Sequence, residues 1–524
     1  MDTSVLIVGG GPVGLIMSIL LDRLGIDNVV AERRAGPQTS PAAHVVNART
    51  FEICRAAGVD MARVAAACQP AHEGAWVRWV TTLAGTELGR VQFENQLHLE
   101  ELLSVTPTPL RNLSQPRFEP ILRAHVTNLR GGLEWAGAAA DSEGVTSSFT
   151  SGETIRSRYV LGCDGAGSRV RKSLDITMEG PDQLQNFVMV HAQADLRTLI
   201  GQRPATLYWI MDPAIRGTFV AHDLASEWVY MHEWDPEAEP IEKFTDDYAA
   251  ALFRRAAGAD VDLTIRHVGS WRATCQIAER YRDGRIFLVG DAAHRFPPSG
   301  GLGLNTGAAD AHNLAWKLAA VHHGWARETL LDSYESERRP IAQLNAQKSL
   351  ENGMKLFDVW NALGSESPAA LDAAIADQEE HFDMLGLQLG FAYPAGAGPV
   401  IDDGQPLPHR DNVVRQYVPS TNPGVRLPHR WITPEVSTLD LIALDTMTLL
   451  TSSPQWSAAG RAVADRVVPV RVVADDTGLA EGGALLVRPD QHVAWRAPDQ
   501  VSDPEAALRA ALATLFPADE SIIG

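Results

Sequence analysis

Six residues, Gly9-Gly10-Gly11-Pro12-Val13-Gly14, constrain this chain more than any other stretch. They fit G-x-G-x-x-G and follow Val5-Leu6-Ile7-Val8, a short apolar run of the kind buried in a parallel sheet. Leu15 to Leu24 reads as a helix and Asn28 to Glu32 as a second strand, which makes a β-α-β unit. In that setting the glycines permit a tight turn and a close backbone approach, so a pyrophosphate can rest on the helix N-terminus. Glu32, about 20 residues on, stands where an acid binds a ribose hydroxyl. The expectation is a bound dinucleotide.

Other classes are excluded more simply. Ser4 to Leu21 carries no charge, but its four glycines and Pro12, and Asp2 rather than a basic cluster before it, argue against a membrane helix or a signal peptide. No membrane association and a cytoplasmic location are expected. The 45 basic and 65 acidic side chains leave a formal charge of -20, so no nucleic-acid partner is expected. The four cysteines, Cys54, Cys68, Cys163 and Cys275, form no C-x-x-C pair, so neither a disulfide framework nor a metal site is expected.

Two further motifs carry chemistry. In Gly162-Cys163-Asp164-Gly165-Ala166-Gly167-Ser168-Arg169-Val170-Arg171 a strand ends in Asp-Gly before a helix that Asp164 or Ser168 can cap. The run from Gly290 and Asp291 through His294, Pro297, Pro298 and Gly300 to Asn305 has a buried strand before it and a helix after it. Asp291 is placed to accept hydrogen bonds from ligand hydroxyls, and His294 to brace the turn. The backbone from Gly300 through Gly301, Leu302, Gly303 and Leu304 to Asn305 can donate N–H groups to a developing negative charge.

Together with Asn47-Ala48-Arg49-Thr50-Phe51-Glu52, Ser114-Gln115-Pro116-Arg117, Arg426-Leu427-Pro428-His429-Arg430 and Arg488-Pro489-Asp490-Gln491-His492, these motifs resemble the single-component FAD-dependent aromatic hydroxylases over nearly the whole chain. The phenol and chlorophenol hydroxylase branch, which shares the para-hydroxybenzoate hydroxylase fold, is the most similar. The resemblance implies an α/β fold: a Rossmann-like FAD-binding domain over 1–178 and 277–395, a mixed β-sheet substrate domain over 179–276, and a C-terminal thioredoxin-like domain over 396–524 that holds no cysteine. It implies bound FAD, transient NADPH or NADH, O2, a small aromatic substrate and a homodimer. Gly9, Gly11, Pro12 and Gly14 would hold the pyrophosphate, Glu32 and Arg33 the adenosine end, Gln115 the ribityl-pyrophosphate stretch, and Gly290 and Asp291 the ribityl chain. Pro298, Gly301, Gly303, Leu304 and Asn305 would lie against the isoalloxazine, and Asp164 in a loop that serves both nucleotides.

The family commonly has an arginine after the proline of the loop before Asn47, but here Pro41 precedes Ala42; His44 in that loop is a candidate catalytic base. Tyr208, Trp209 and Tyr230, together with Pro297, are candidate substrate contacts. The implied reaction is hydroxylation of a phenol through a flavin C(4a)-hydroperoxide. Alternatives are epoxidation or Baeyer–Villiger oxygenation of a polyketide-type product, or a flavin-binding protein without turnover. A pyridine-nucleotide-disulfide reductase is excluded, because it needs a paired C-x-x-x-x-C and a second G-x-G-x-x-G.

Overall fold

The opening β-α-β unit folds as its apolar pattern dictates. Strand Thr3–Val8 is buried, helix Pro12–Arg23 is apolar on most sides and sunk in the core, and strand Asn28–Glu32 pairs parallel with the first. The structure, a computed structural model, describes residues 1–517 except 41, 95–97, 366, 465–467, 476–477, 481–482 and 498–500. Five parallel strands form the heart of the first sheet, in the order Ile286–Leu288, Thr154–Gly162, Thr3–Val8, Asn28–Glu32 and Leu129–Gly131. The chain leaves this sheet after Gly162 and returns with the short edge strand Arg282–Asp283 and then Ile286–Leu288, so two distant segments deliver the Asp164 and Asp291 loops to its carboxyl edge. Ligands bind at that edge in open α/β sheets.

A second sheet, antiparallel apart from one parallel pair, runs in the order Thr264–Ala273, Gln185–Gln193, Glu227–Glu233, Gly217–Asp223, Leu207–Ile210, Trp76–Val80 and Glu87–Gln92. The last two strands come from within 1–178, so the expected boundary at 178 does not separate the two bodies. Strand Trp76–Val80 pairs parallel with Leu207–Ile210 and extends the sheet across sequence. One face packs on helix Asp246–Ala257 through Val190, Tyr208, Phe219 and Tyr230. The other carries Trp79 and Trp209.

The C-terminal sheet has the order Val470–Ala474, Met447–Thr451, Leu485–Val487 and Val493–Arg496, with only the first pair parallel. Helices Pro454–Val463 and Pro504–Leu515 pack in the same apolar cluster. This is a thioredoxin-like strand order. The apolar runs Leu441 to Leu450, Val467 to Val473 and Ala484 to Val487 read as strands from the sequence, and each is present in part; Val467 itself lies outside the described residues. Among the described residues no helix is long and apolar enough to cross a membrane.

A buried ion network fastens this unit to the rest. Arg488 pairs with Glu337 at 2.5 and 2.9 Å and with Asp490 at 2.5 Å, and Lys317 reaches Glu337 at 2.7 Å. Nearby, Arg426 grips Glu52, which Arg49 also meets at 3.1 Å; Arg49 donates to the Asp490 carbonyl at 2.7 Å. These pairs account for the arginine-bearing motifs at 426–430 and 488–492: they join helices rather than touch a ligand. Burial raises Glu337, but Arg488 and Lys317 more than offset it and hold the acid down to about 2, from an ordinary 4.5. Its folded value is depressed, so its contribution is full above 4.5 and is lost as pH falls toward 2. Arg488→Met is expected to cost about 3–5 kcal/mol in urea unfolding at neutral pH, because it takes the guanidinium from buried Asp490 and leaves Glu337 with Lys317 alone. The deficit should shrink as pH drops through that window, and an equal deficit at pH 7 and 3 would contradict the pairing.

Candidate active site

The three motifs converge because each uses absent side chains to let backbones meet. Gly9 has φ of +111°, and a Cβ there would stand 2.3 Å from the Cys163 carbonyl oxygen, which fixes the first turn against the Asp164 loop. Val13 fills a notch where a Cβ on Gly307 would come within 2.7 Å of it, and Gly290 sits beside the same side chain. Helices Pro12–Arg23 and Leu302–His322 thus pack with their N-termini on one cleft. Both start on a glycine, Gly11 and Gly301, with no side-chain cap, so their first N–H groups have no intrahelical partner. A Cβ on Gly11 meets no atom of the chain within 4 Å, whereas one on Gly14 would lie 2.1 Å from the Gly9 oxygen.

Around this cleft the acids divide by task. Glu32 is buried and accepts the Gly10 N–H at 2.7 Å and the Arg34 N–H at 2.9 Å, with Arg33 exposed beside it. Asp291 accepts no hydrogen bond from the described residues; it is exposed to the cleft yet densely walled, and that enclosure raises its carboxyl above the usual range. It lies 3.7 Å from the Cβ position of Gly303, beside the uncapped helix start. An unpartnered carboxylate next to unpartnered N–H groups fits a ligand that offers both hydroxyls and negative charge, as FAD does.

Other expected contacts are occupied by the protein itself. Asp164 accepts Ser168 Oγ at 2.5 Å and the Arg169 and Val170 N–H groups at 2.7 and 3.1 Å, so its carboxylate shapes the loop. Asn305 donates to the Val45 and Gly301 carbonyls and accepts from the Asn47 N–H and Thr50 Oγ1, leaving only its backbone for a cofactor. Gln115 is half-buried at a helix start, its N–H donating to the Ala43 carbonyl at 2.8 Å. Pro297 is buried and Pro298 exposed in the turn before Gly301, whose N–H donates to the Pro298 carbonyl. Ala42 is exposed; Pro41 lies outside the described residues.

His294 is fully buried, with Nε2 2.6 Å from Asp310 Oδ2. Asp310 also accepts Arg338 Nε at 2.8 Å and the Gly290 N–H at 3.2 Å. Burial raises Asp310, but His294 and Arg338 beside it bring it below the carboxylate norm. Sequence reasoning missed this hub, although one acid in the small-residue helix run Gly307-Ala308-Ala309-Asp310-Ala311 was the available signal.

Two of the expected substrate residues need correction. Tyr208 and Tyr230 lie on the face that packs against helix Asp246–Ala257, and their hydroxyls donate to the Arg203 and Ile215 carbonyls. One step along the strand reverses a side chain, so Trp209 alone of the three faces inward. Its indole N–H is buried without a hydrogen-bond partner among the described residues. Thr218 and Met231 share that face by register, and His222 reaches His44, the ring centroids being 5.6 Å apart.

Asn112 settles the chemistry of His44. Its Nδ2 donates to Gln69 Oε1 at 2.6 Å and to the Ala221 carbonyl at 2.7 Å, so its Oδ1 is an acceptor. The His44 Nδ1 atom 3.0 Å away must then carry the proton, which leaves Nε2 with a free lone pair and no partner among the described residues. Burial and then His222 push the imidazole down to about 3, so it stays neutral.

This fold and cleft define a flavoprotein of the FAD-binding α/β class. Residues 2–349 match the family described as FAD binding domain, and residues 420–518 match aromatic-ring hydroxylase, C-terminal. A putative polyketide hydroxylase of Streptomyces coelicolor is 34% identical over 98% of this chain and 96% of its own. The 4-methyl-5-nitrocatechol 5-monooxygenase of a Burkholderia species is also 34% identical, over 98% and 97%. The crystal structure of the flavin-dependent monooxygenase PieE, in complex with FAD and substrate, superposes with a TM-score of 0.90 at 34% identity, covering 98% and 99%. The chain belongs to the FAD-dependent aromatic-ring hydroxylases and is a flavin-dependent monooxygenase.

The two glycines separate binding from folding. Gly11→Val is expected to fold normally and purify without FAD, since only ligand space is filled, whereas Gly14→Val should fail to fold because of the clash with the Gly9 carbonyl. Asp291→Ala should likewise fold but lose most of its flavin. Absorbance of the purified variants, alongside circular dichroism, checks each; full flavin content in Asp291→Ala would remove that residue from the site.

Proposed function

We propose that this enzyme hydroxylates a phenolic ring, taking electrons from NAD(P)H and oxygen from O2, with His44 as the group that receives the phenol proton. Glu32, Asp291 and the two uncapped helix starts would hold FAD, which when bound accepts reducing equivalents from NAD(P)H and activates O2 for transfer to the ring. The residues of this chain do the rest. His44 Nε2, neutral and without a partner among the described residues, accepts the substrate hydroxyl's hydrogen bond; drawing the proton away makes the ring more nucleophilic. The single observation behind this reading is the tautomer that Asn112 imposes on His44. The Trp209 N–H offers a donor on the inner face of the second sheet, and the apolar residues around it exclude water.

The relatives named above include enzymes named for a single substituted ring and for polyketides. We read the substrate here as a phenolic aromatic compound within that range. Mixed anaerobically with NADPH, the FAD-loaded enzyme is expected to bleach faster when a phenol from a graded panel is present than with the matching methyl ether. His44→Gln should retain FAD and lower turnover about a hundredfold. Equal stimulation by phenols and their methyl ethers would overturn the role given to the hydroxyl and to His44.

A further inference from the structure

Beyond His44 lies a line of ionisable groups that FAD binding does not explain. His222, on strand Gly217–Asp223, is buried and stacks obliquely near His44; its Nδ1 lies 3.7 Å from Glu227 Oε1. Glu227 opens the next strand and also meets His191 Nε2 at 3.4 Å and Arg117 Nε at 3.2 Å. Arg117 in turn pairs with Asp223 at 2.9 Å. Glu227 and Arg117 are partly exposed, whereas His222 is closed off. The groups therefore run from the inner face of the sheet to its surface at one hairpin turn, through His44, His222 and Glu227, with His191, Arg117 and Asp223 around the outer end.

Their electrostatics suit passage rather than storage. Burial keeps both His44 and His222 neutral, and among the described residues no hydrogen bond ties down the buried His222 Nδ1. Burial would raise Glu227, but His191 and His222, with Arg117, hold it well below the carboxylate norm, so an anion always stands at the exit. An ordinary buried histidine needs no second imidazole beside it and no anion behind that.

We infer that His222 and Glu227 form the proton outlet of the active site, carrying the proton that His44 removes from the substrate to solvent. The inference rests on the proposed role of His44. The substrate O–H bond breaks and its proton joins His44 Nε2, while the Nδ1 proton stays on His44, donated to Asn112 Oδ1. His44 passes that proton on to His222 Nε2, His222 yields its Nδ1 proton to Glu227 Oε1, and Glu227 releases it to water. No electrons change hands. His222 and Glu227 are positioning residues here, since neither touches substrate.

The test uses FAD-loaded enzyme and 4-nitrocatechol, whose ionisation is visible in its absorbance. After rapid mixing, proton appearance in weakly buffered solution is followed with an indicator dye, and ionisation of the bound probe is followed directly. For Glu227→Gln and for His222→Gln, proton appearance is expected to slow about a hundredfold, to vary with pH, and to recover when added imidazole supplies an alternative carrier. The second variant leaves the Arg117 pairs intact and guards against a folding defect in the first. Wild-type proton release in His222→Gln, or a loss that imidazole does not restore, overturns the outlet. If His44→Gln slows ionisation of the probe while the outlet variants release protons normally, only the outlet fails. If His44→Gln ionises the probe as wild type does, the reading of His44 fails and the outlet with it.

Discussion

The geometry of the cleft depends on one buried carboxylate. Asp310 holds the Gly290 N–H, His294 and Arg338 at once, and these belong to a strand end, a turn and a second long helix. An unpaired carboxylate at this depth would carry a large desolvation penalty, so all three partners must be in place together. That requirement sets the turn from Gly290 to Pro298 in a single conformation. It also aims the start of helix Leu302–His322 at the same cleft as helix Pro12–Arg23. The glycines permit the approach, and Asp310 decides its register.

What could be read in advance was local chemistry. A tight turn that must admit a phosphate calls for glycine at Gly9, Gly11 and Gly14 whatever surrounds it, and a strand end that delivers an acid is visible as Gly290-Asp291. What could not be read was relative position. Whether Tyr208 or Trp209 faces the site turns on a one-residue phase between strands far apart in sequence, and both residues are aromatic. The pairing of Trp76–Val80 with Leu207–Ile210 is equally non-local. Asp164 and Asn305 stand where the motif placed them, yet their side chains face inward to the protein, because a loop that approaches a ligand must first be held itself.

The C-terminal unit shows a different use of charge. Its sheet has the thioredoxin-like order but no cysteine, so what the rest of the chain takes from it is contact. That contact runs through Arg426 and Arg488, each buried against carboxylates on helices Ala48–Ala56 and Ser333–Gly364. Apolar residues could seal such a seam as firmly. Forked guanidinium–carboxylate pairs add a demand on angle and register that a greasy surface lacks. Helix Ala48–Ala56 follows directly from the His44 loop, so the far unit bears on the placement of that loop through Arg49 and Glu52.

The two uncapped helix starts have a consequence for the life of the protein in a cell. Backbone donors in the first turns that follow Gly11 and Gly301 find their match in a ligand rather than in a capping side chain, so part of the folding free energy resides in a small molecule. Stability then scales with the logarithm of free flavin concentration. When free flavin falls, a larger share of the chains stands open to proteases, so the cofactor sets the lifetime of the protein as well as its chemistry.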